Sequence, residues 1–192
     1  MEYVIKSGRP SQYDSPVTEP GPVPPNLQMI EPDVGELLSS NQATANKAKA
    51  ILCKSPGFRD VSGVERGKIA AAFAARNFVV YGKAFDLVQL SDPAIDLSDP
   101  AALDAAINQA ALTLIEVKST SADRDEEFRG HFFSISTAEL LVAQSLGSLF
   151  KFAFVNTKTE HYRVVTLQDV YRRAKAIYPT WSIRFDGGAF EP

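Results

Sequence analysis

Two acidic residues and one lysine stand inside apolar stretches that are typical of buried strands. Asp86 lies within the stretch 84–88, and Glu116 and Lys118 lie at the end of the β-branched run 112–118. Residues two apart on a strand point to the same face of the sheet, so Glu116 and Lys118 share a face. Charged groups are costly to bury without a partner or a task. These three residues are therefore the first candidates for chemistry.

The chemistry that these residue types predict is hydrolysis assisted by a divalent metal ion. On neighbouring strands, about 4.8 Å apart, Asp86 and Glu116 could reach one ion. The two carboxylates and the backbone carbonyl of Val117 form a partial oxygen site of the kind that Mg²⁺ prefers, and Mn²⁺ could substitute. Such an ion activates water and neutralises phosphate charge, and Lys118 could orient the water or stabilise the transition state. A structural Glu116–Lys118 ion pair is the alternative interpretation.

The composition is that of an ordinary globular protein and excludes several classes of function. The chain has 192 residues, of which 45% are hydrophobic and 22% are charged, with a formal net charge of −3. No apolar run approaches the ~18 residues of a membrane span, and the N-terminus lacks a signal-peptide pattern. We therefore expect a cytoplasmic protein without a membrane partner. One cysteine and two histidines exclude an internal disulfide and a Cys- or His-rich metal site, so a metal should be a hard ion.

Charge is distributed unevenly along the chain. Ten acidic and two basic residues give the segment 84–127 a net charge of −8, and six basic and two acidic residues give 158–184 a net charge of +4. This pattern suits a metal-dependent enzyme that acts on a polyanion, whereas two solvated faces would explain it equally well. Arg172, Arg173 and Lys175 are candidates for contacts with DNA phosphates, although the last turn of a helix favours cations in any case.

The first third of the chain differs from the rest. Seven prolines lie between Pro10 and Pro32, which excludes a regular helix or a central strand and predicts an extended arm. A helix over 33–54 should follow and end at the Ser-Pro-Gly sequence of 55–57. We therefore divide the chain into an accessory Pro-rich arm with a helix, residues 1–57, and a domain that carries the candidate site, residues 58–192.

Beyond residue 61, capping boxes and hydrophobic periods predict alternating helices and strands. The predicted helices cover 66–76, 100–110, 137–146 and 167–177. The predicted strands cover 78–81, 84–90, 112–118, 132–135, 150–155, 162–165 and 181–185, with a polar loop over 119–130. This order indicates an α/β (α+β) fold with a mixed central β-sheet flanked by helices.

The order of these motifs resembles the PD-(D/E)XK nuclease superfamily. Asp86 followed by Glu116-Val-Lys118 is similar to its active-site signature, with Phe85 where proline often stands. The flanking sequence resembles, more narrowly, the "protein NO VEIN" C-terminal domain family, a nuclease-like group often found in restriction and defence proteins. The similar segments are 67–71, 115–120, 133–140, 143–147 and 150–155. The resemblance covers residues 61–185 and implies a restriction-endonuclease-like sheet.

The resemblance implies a Mg²⁺-dependent endonuclease that hydrolyses DNA phosphodiester bonds in a restriction or defence system. Asp86 and Glu116 would hold the ion and Lys118 would assist the water. The opening helix of the superfamily often carries a further acid after a glycine, where this chain has Lys68. Glu65 could replace that acid as a metal ligand, although its place in a capping box also explains it. A homodimer or other defence-system subunits are the implied protein partners.

The remaining candidates are weaker. Ser119 and Thr120 follow the lysine directly and Gln144 lies on the next helix, so all three are candidates for supporting or substrate-contacting roles, with turn or helix-surface roles as the alternatives. Cys53 is expected to be a small buried apolar residue. His131 and His161 have no suitably spaced partners and are expected at the surface.

Two other functions fit the same residues. A catalytically silent module of a larger defence complex could use this fold to bind nucleic acid or protein, and it would then fail to bind a divalent ion. A nuclease that acts on RNA is the other alternative, which a comparison of matched DNA and RNA substrates would separate from the first.

Overall fold

The computed structural model describes residues 34–177, with side chains from residue 42 onward. The predicted Pro-rich arm and the predicted strand 181–185 lie outside these residues. In chain order the elements are α1 (Val34–Cys53), β1 (Phe58–Asp60), α2 (Gly63–Ala74), β2 (Leu87–Leu90), α3 (Pro100–Asn108), β3 (Leu112–Thr120), α4 (Thr137–Leu146), a 3₁₀ turn (Gly147–Leu149), β4 (Phe150–Asn156), β5 (Tyr162–Val165) and α5 (Leu167–Arg173).

The strands form one five-stranded mixed sheet in the order β1-β2-β3-β4-β5. The pairs β1–β2, β2–β3 and β4–β5 are antiparallel, whereas β3 and β4 are parallel. Parallel neighbours need a crossover connection, and α4 lies in the one between β3 and β4. The prediction of an α+β fold with a mixed sheet flanked by helices is confirmed at this level, as is the predicted β4–β5 hairpin.

Apolar side chains cover both faces of the sheet. On one face Leu112 and Leu114 belong to a core that includes residues of α2, α3 and α4. On the other face Ile115 and Val117 pack with the end of α1 through Ala48, Ile51 and Leu52. Successive residues of a strand point to opposite faces, so β3 contributes to both cores. The predicted boundary after residue 57 thus separates α1 in sequence from the sheet face that it covers.

Four helices begin where their capping residues predict. Ser62, Ser136 and Thr166 each accept a hydrogen bond from the N–H three residues later, and the acid at that position accepts one from the cap in return. Asp99 caps α3 as predicted, because its side chain accepts the N–H groups of Ala101 and Ala102. These bonds satisfy N–H groups that a helix start leaves unpaired. None of the helices in residues 34–177 is both long enough and apolar enough to cross a membrane.

Two predicted strands are wrong. Residues 78–81 form no strand, since the Val79 N–H donates to Ser145 Oγ and the ring of Phe78 packs edge-on against Phe73. Residues 132–135 also form none, because Phe133 packs onto the sheet face against Phe154 with ring centroids 4.6 Å apart. Both segments are held by side-chain packing without ladder bonds, and a short apolar run does not distinguish the two cases.

Several element ends also differ from the prediction. The strand predicted over 84–90 is limited to β2, and α2 and α5 end at Ala74 and Arg173, before the predicted residues 76 and 177. Asn77 adopts a left-handed conformation with φ of 64°, which is incompatible with a helix that continues through it. The short strand β1 was not predicted, because three residues with one buried side chain carry no periodic signal.

Candidate active site

Asp86 lies immediately before β2, where its backbone and its side chain both contact β3. Its N–H donates to the Ile115 carbonyl at 2.8 Å, while Ile115 also stands opposite Leu87 in the strand register. Two consecutive residues therefore face one residue of the neighbouring strand, which is the pattern of a β-bulge. Asp86 Oδ2 accepts the Val117 N–H at 3.0 Å. The carboxylate thus replaces the ladder partner that Val117 would otherwise have on β2.

The backbone carbonyl of Val117 points to the side of β3 on which Asp86 lies. In an antiparallel ladder the N–H and the C=O of one residue point to the same neighbouring strand. Because the Val117 N–H points to the side of β2, its carbonyl points there too, beyond the first paired residue of β2. The carbonyl and the carboxylate of Asp86 therefore lie on the same side of β3, as the predicted oxygen site requires.

Glu116 and Lys118 lie on the sheet face that α4 covers. Lys118 Nζ is 3.0 Å from Glu116 Oε1 and 2.6 Å from Glu139 Oε2 of α4. Glu116 is 8% exposed, so its charge is largely removed from water. The predicted Glu116–Lys118 ion pair is thus present, and a second carboxylate joins it.

Glu139 is the site residue that the sequence did not reveal. Its Oε2 accepts both the Lys118 ammonium and, at 3.2 Å, the N–H of Ser136, its own helix cap. The sequence presents it as the acid of a capping box, which is a sufficient reason for a glutamate at that position. The signal that could have found it is topological, because α4 connects two parallel neighbours and therefore crosses the sheet face that carries Glu116 and Lys118.

Burial and neighbouring charges shift the pKa values of both Glu116 and Lys118 upward. Burial first, and then the charge of Asp86, raise the pKa of Glu116 to about 8, with a smaller contribution from Glu139 and against the opposing effect of Lys118. Burial lowers the pKa of Lys118, but Glu116 and Glu139 together outweigh burial, and the net shift is upward. Lys118 therefore carries a positive charge at neutral pH.

The donor set suits a hard divalent cation with few protein ligands. Within the described residues, no group of three or more His, Cys, Asp or Glu side chains is arranged to hold a metal ion. Asp86, Glu116 and the Val117 carbonyl would supply two carboxylates and one neutral oxygen if they bound one ion. Mg²⁺ commonly binds to one or two carboxylates and keeps several waters, so this set fits Mg²⁺ better than it fits an ion that needs a full protein cage.

Glu65 lies in a different set of contacts. Its Oε1 is 2.5 Å from Arg59 Nη2, and its Oε2 accepts the Ser62 N–H at 2.9 Å. The hydrogen bonds from the Ser62 backbone and hydroxyl lower the pKa of this carboxyl, with a smaller contribution from Arg59. The capping box and the ion pair with β1 account for Glu65, and its predicted metal role remains a prediction.

The supporting residues predicted around the lysine are not gathered at one point. Ser119 follows Lys118 and, by strand alternation, lies on the opposite face of the sheet. Thr120 shares the face of Lys118, but its Oγ1 accepts the Ala122 N–H at 3.1 Å. Gln144 is exposed on α4, and five residues along a helix turn its side chain about 140° away from that of Glu139. Their contacts with substrate remain predictions.

The acidic and basic segments of the sequence contact each other. The carboxylate of Glu127 pairs with Arg163 of β5, and Asp123 is 3.3 Å from Lys158. The carbonyl of Glu126 also accepts the Arg163 Nε–H at 2.7 Å. Residues 123–127 therefore lie against the β4–β5 hairpin, so part of each charged segment neutralises the other.

The three predicted phosphate contacts lie at and beyond the end of α5. Arg173 Nη1 is 2.9 Å from Glu127 Oε2, and Arg172 Nη1 is 3.8 Å from Asp169 Oδ1. Lys175 is exposed and has no ion-pair partner among the described residues. Exposed ion pairs contribute only about 0–1 kcal/mol, so a phosphate could displace them. Binding to DNA through these residues remains a prediction.

Two further predictions are wrong. His131 is half-buried, since its ring stacks on Phe133 at 5.7 Å and its Nε2 is buried without a partner among the described residues. Burial, with a smaller contribution from Arg124, lowers the pKa of His131. Cys53 is exposed, because the preceding residues of α1, Ile51 and Leu52, occupy the side that faces the sheet. Spacing along the sequence does not reveal either environment.

Comparisons with known proteins give no relative from which these roles could be transferred. No family model matches the chain, and no curated protein and no solved structure matches it significantly. The function must therefore be argued from the site itself.

Proposed function

We propose that this protein is a Mg²⁺-dependent nuclease that hydrolyses DNA phosphodiester bonds, with Mn²⁺ able to replace Mg²⁺. The observation that carries the proposal is that Asp86 accepts the N–H of Val117, the residue of β3 between Glu116 and Lys118, which pair with each other. A mixed sheet with a helical crossover after the acidic strand supports a restriction-endonuclease-like architecture. The restriction or defence context and a homodimeric assembly rest on the motif resemblance and belong to the same proposal.

Each residue has a distinct task in this proposal. Asp86, Glu116 and the Val117 carbonyl would hold the ion. A bound divalent ion supplies a water of lowered pKa and neutralises charge on the phosphate. Lys118, positively charged and held by Glu139, would orient the attacking water or donate to a phosphate oxygen. In this step the water would give up one proton as its oxygen bonds to phosphorus, the phosphorus–oxygen bond to the leaving group would break, and the leaving oxygen would take up a proton from solvent.

A catalytically silent binding module is the second candidate. The observation that favours it is the position of Lys118 between Glu116 and Glu139, an arrangement in which buried charges pair with each other without a metal ion. Such a network would maintain the fold after loss of activity. A module of this kind would bind nucleic acid or protein in a larger complex and would show no divalent-ion binding by calorimetry.

The decisive experiment is cleavage of supercoiled plasmid DNA by the purified chain with Mg²⁺ or Mn²⁺, and with EDTA. We expect nicked and linear products that EDTA abolishes. Asp86→Asn, Glu116→Gln and Lys118→Ala should each abolish cleavage. Lys151→Ala is the matched control, because Lys151 lies on β4 opposite Ile115, on the other face of the sheet. A DNA and an RNA of the same sequence, compared side by side, identify the substrate.

Each other result has a clear meaning. Cleavage that survives all three substitutions would place the activity elsewhere or in a contaminant. Cleavage of RNA alone would replace the DNA assignment with the RNA alternative. Absence of both cleavage and Mn²⁺ binding would favour the silent module.

A further inference from the structure

Arg66, at the end of the first turn of α2, contacts the chain just before β2. Its Nη1 donates to the carbonyl oxygens of Gly82, at 3.2 Å, and Phe85, and its Nη2 donates to the Asp86 carbonyl at 3.1 Å. Its Cζ lies 4.6 Å from the centroid of the Phe85 ring. All these partners belong to residues 82–86, which precede the first residue of β2.

Besides the bonds from Arg66, the Ala84 N–H donates to the Tyr81 carbonyl, and the N–H and carboxylate of Asp86 bond to Ile115 and Val117 of β3. Residues 82–86 belong to no helix or strand, yet Phe85 is only 2% exposed and Asp86 must meet β3. Backbone carbonyls in such a place need donors, because unpaired buried polar groups are costly. A guanidinium offers five N–H donors in a rigid fork, so one arginine can bind several carbonyls at once.

We propose that Arg66 is a positioning residue that fixes the entry into β2 so that the Asp86 carboxylate meets the Val117 N–H and faces the candidate metal position. The inference rests on the proposed function in so far as Asp86 is taken as a metal ligand. Its geometric part, the placement of Asp86 against β3, stands independently of any metal ion.

Arg76, two residues after the end of α2, provides a matched comparison. Its Nη1 donates to the Ala72 carbonyl at 2.9 Å, its Nη2 donates to Asn108 Oδ1 at 3.1 Å, and it pairs with Asp104. These bonds join the end of α2 to α3 and involve no residue of the candidate site. Arg76→Ala therefore shows how far the loss of an arginine with several hydrogen bonds near α2 changes amide exchange and Mn²⁺ affinity in general.

The first test measures amide hydrogen exchange in EDTA for the wild type and for Arg66→Ala, Arg66→Lys and Arg76→Ala. The reporters are the N–H groups of Asp86 and Val117, and the reference is the Leu90 N–H, which donates to Gly57 at the far end of β2. In Arg66→Ala we expect the reporters to exchange about tenfold faster relative to the reference, as expected for lost hydrogen bonds to a charged group. Arg76→Ala should leave the ratio unchanged.

Arg66→Lys guards against a variant that does not fold. Lysine keeps the charge and the contact with the Phe85 ring but cannot fork between carbonyls. We expect it to accelerate the same two amides by a smaller factor. If Asp86 and Val117 exchange as in the wild type in both Arg66 variants, the positioning role is overturned.

The second test is titration with Mn²⁺ by calorimetry. Residues that hold metal ligands typically change affinity by about 10- to 100-fold when they are replaced. We expect a loss in that range for Arg66→Ala, a smaller loss for Arg66→Lys, and wild-type affinity for Arg76→Ala. Equal affinity in all four proteins would remove the functional part of the proposal. If the wild type binds no Mn²⁺, the proposed function fails, and the exchange ratios alone decide the role of Arg66.

Discussion

Glu139 Oε2 accepts hydrogen bonds from Lys118 Nζ and from the Ser136 N–H, so a single carboxylate oxygen joins the candidate catalytic lysine to a helix cap. The start of α4 therefore sets the position of Glu139, and Glu139 sets the position of Lys118. A lysine has four rotatable side-chain bonds, and fixing its ammonium at one point requires a partner that is itself fixed. The capping box provides that partner.

Glu139→Gln should reduce catalysis more than stability. The amide oxygen can still accept the Ser136 N–H, but the charge that attracts Lys118 is lost. We expect initial rates of plasmid cleavage to fall about 10- to 100-fold, the usual cost of losing a residue that orients a site. Asp169→Asn makes the same change in the capping box of α5 and is the control. Equal rates for the two variants would contradict the role of Glu139.

Glu116 should make the metal-free protein less stable as pH rises. Its pKa is raised to about 8, so between an unfolded value of 4.5 and 8 the folded state binds more protons than the unfolded state. The free energy of unfolding, measured with urea in EDTA, should therefore fall from pH 6.5 to pH 8.5, by on the order of 1 kcal/mol.

Glu116→Gln tests this assignment. Glutamine does not titrate, so the loss of stability between the two pH values should be much smaller in the variant. Glu160→Gln, at an exposed position, is the control and should follow the wild type. The same decline in Glu116→Gln as in the wild type would show that another group is responsible.

The titration of His131 should make the protein less stable as pH falls, the opposite of the effect of Glu116. Its pKa is lowered below the usual 6.5, so below that pH the unfolded state binds more protons and stability falls as pH decreases through this range. His131→Phe keeps a ring that can stack on Phe133 and removes the titration. We expect the melting temperature of this variant to change less between pH 7 and pH 5 than that of the wild type. If the melting temperature changes by the same amount between pH 7 and pH 5 in the variant and in the wild type, His131 is not the cause of the change.

The end of α1 should be essential to the stability of the sheet, although it belongs to the segment 1–57 that the sequence predicts to be accessory. Leu52 is fully buried against the sheet, so Leu52→Ala should lower the free energy of unfolding by about 2–5 kcal/mol. Cys53→Ala, one residue later at an exposed position, should change it by no more than about 0.5 kcal/mol. Similar values for both, measured with urea, would mean that α1 contributes little to the stability of the sheet.

Local patterns predict much of this fold, and the failures have a common cause. Ser62, Asp99 and Ser136 identify helix starts because caps act within three residues of sequence. The runs that became β3 and β4 are long enough to show their buried character. Residues 78–81 and 132–135 are apolar because Phe78 packs against Phe73 and Phe133 packs against Phe154, which lie elsewhere in the chain. No local period distinguishes such packing from pairing.

The candidate site shows the same division. The motif predicts Asp86 beside the strand that carries Glu116 and Lys118, and two neighbouring strands suffice for that arrangement. Glu139 and Arg66 remain hidden because each has an ordinary local explanation, one as a cap and the other as a helix-surface residue. Their contacts with the site depend on how helices cross the sheet, which local spacing does not encode. The metal ion, the substrate and the partners remain predictions.

The parallel pairing of β3 with β4 has a consequence for the order of folding. The β4–β5 hairpin is local and can form early, whereas β3 can pair with β4 only after residues 121–149 have closed into a crossover. The contact of Lys118 with Glu139 spans this crossover. We therefore expect refolding kinetics in which the lysine is fixed late, after a hairpin has formed. If the chain is cleaved between residues 121 and 149, β4 and β5 should still tend to form their hairpin. The contacts among Glu116, Lys118 and Glu139 should be lost.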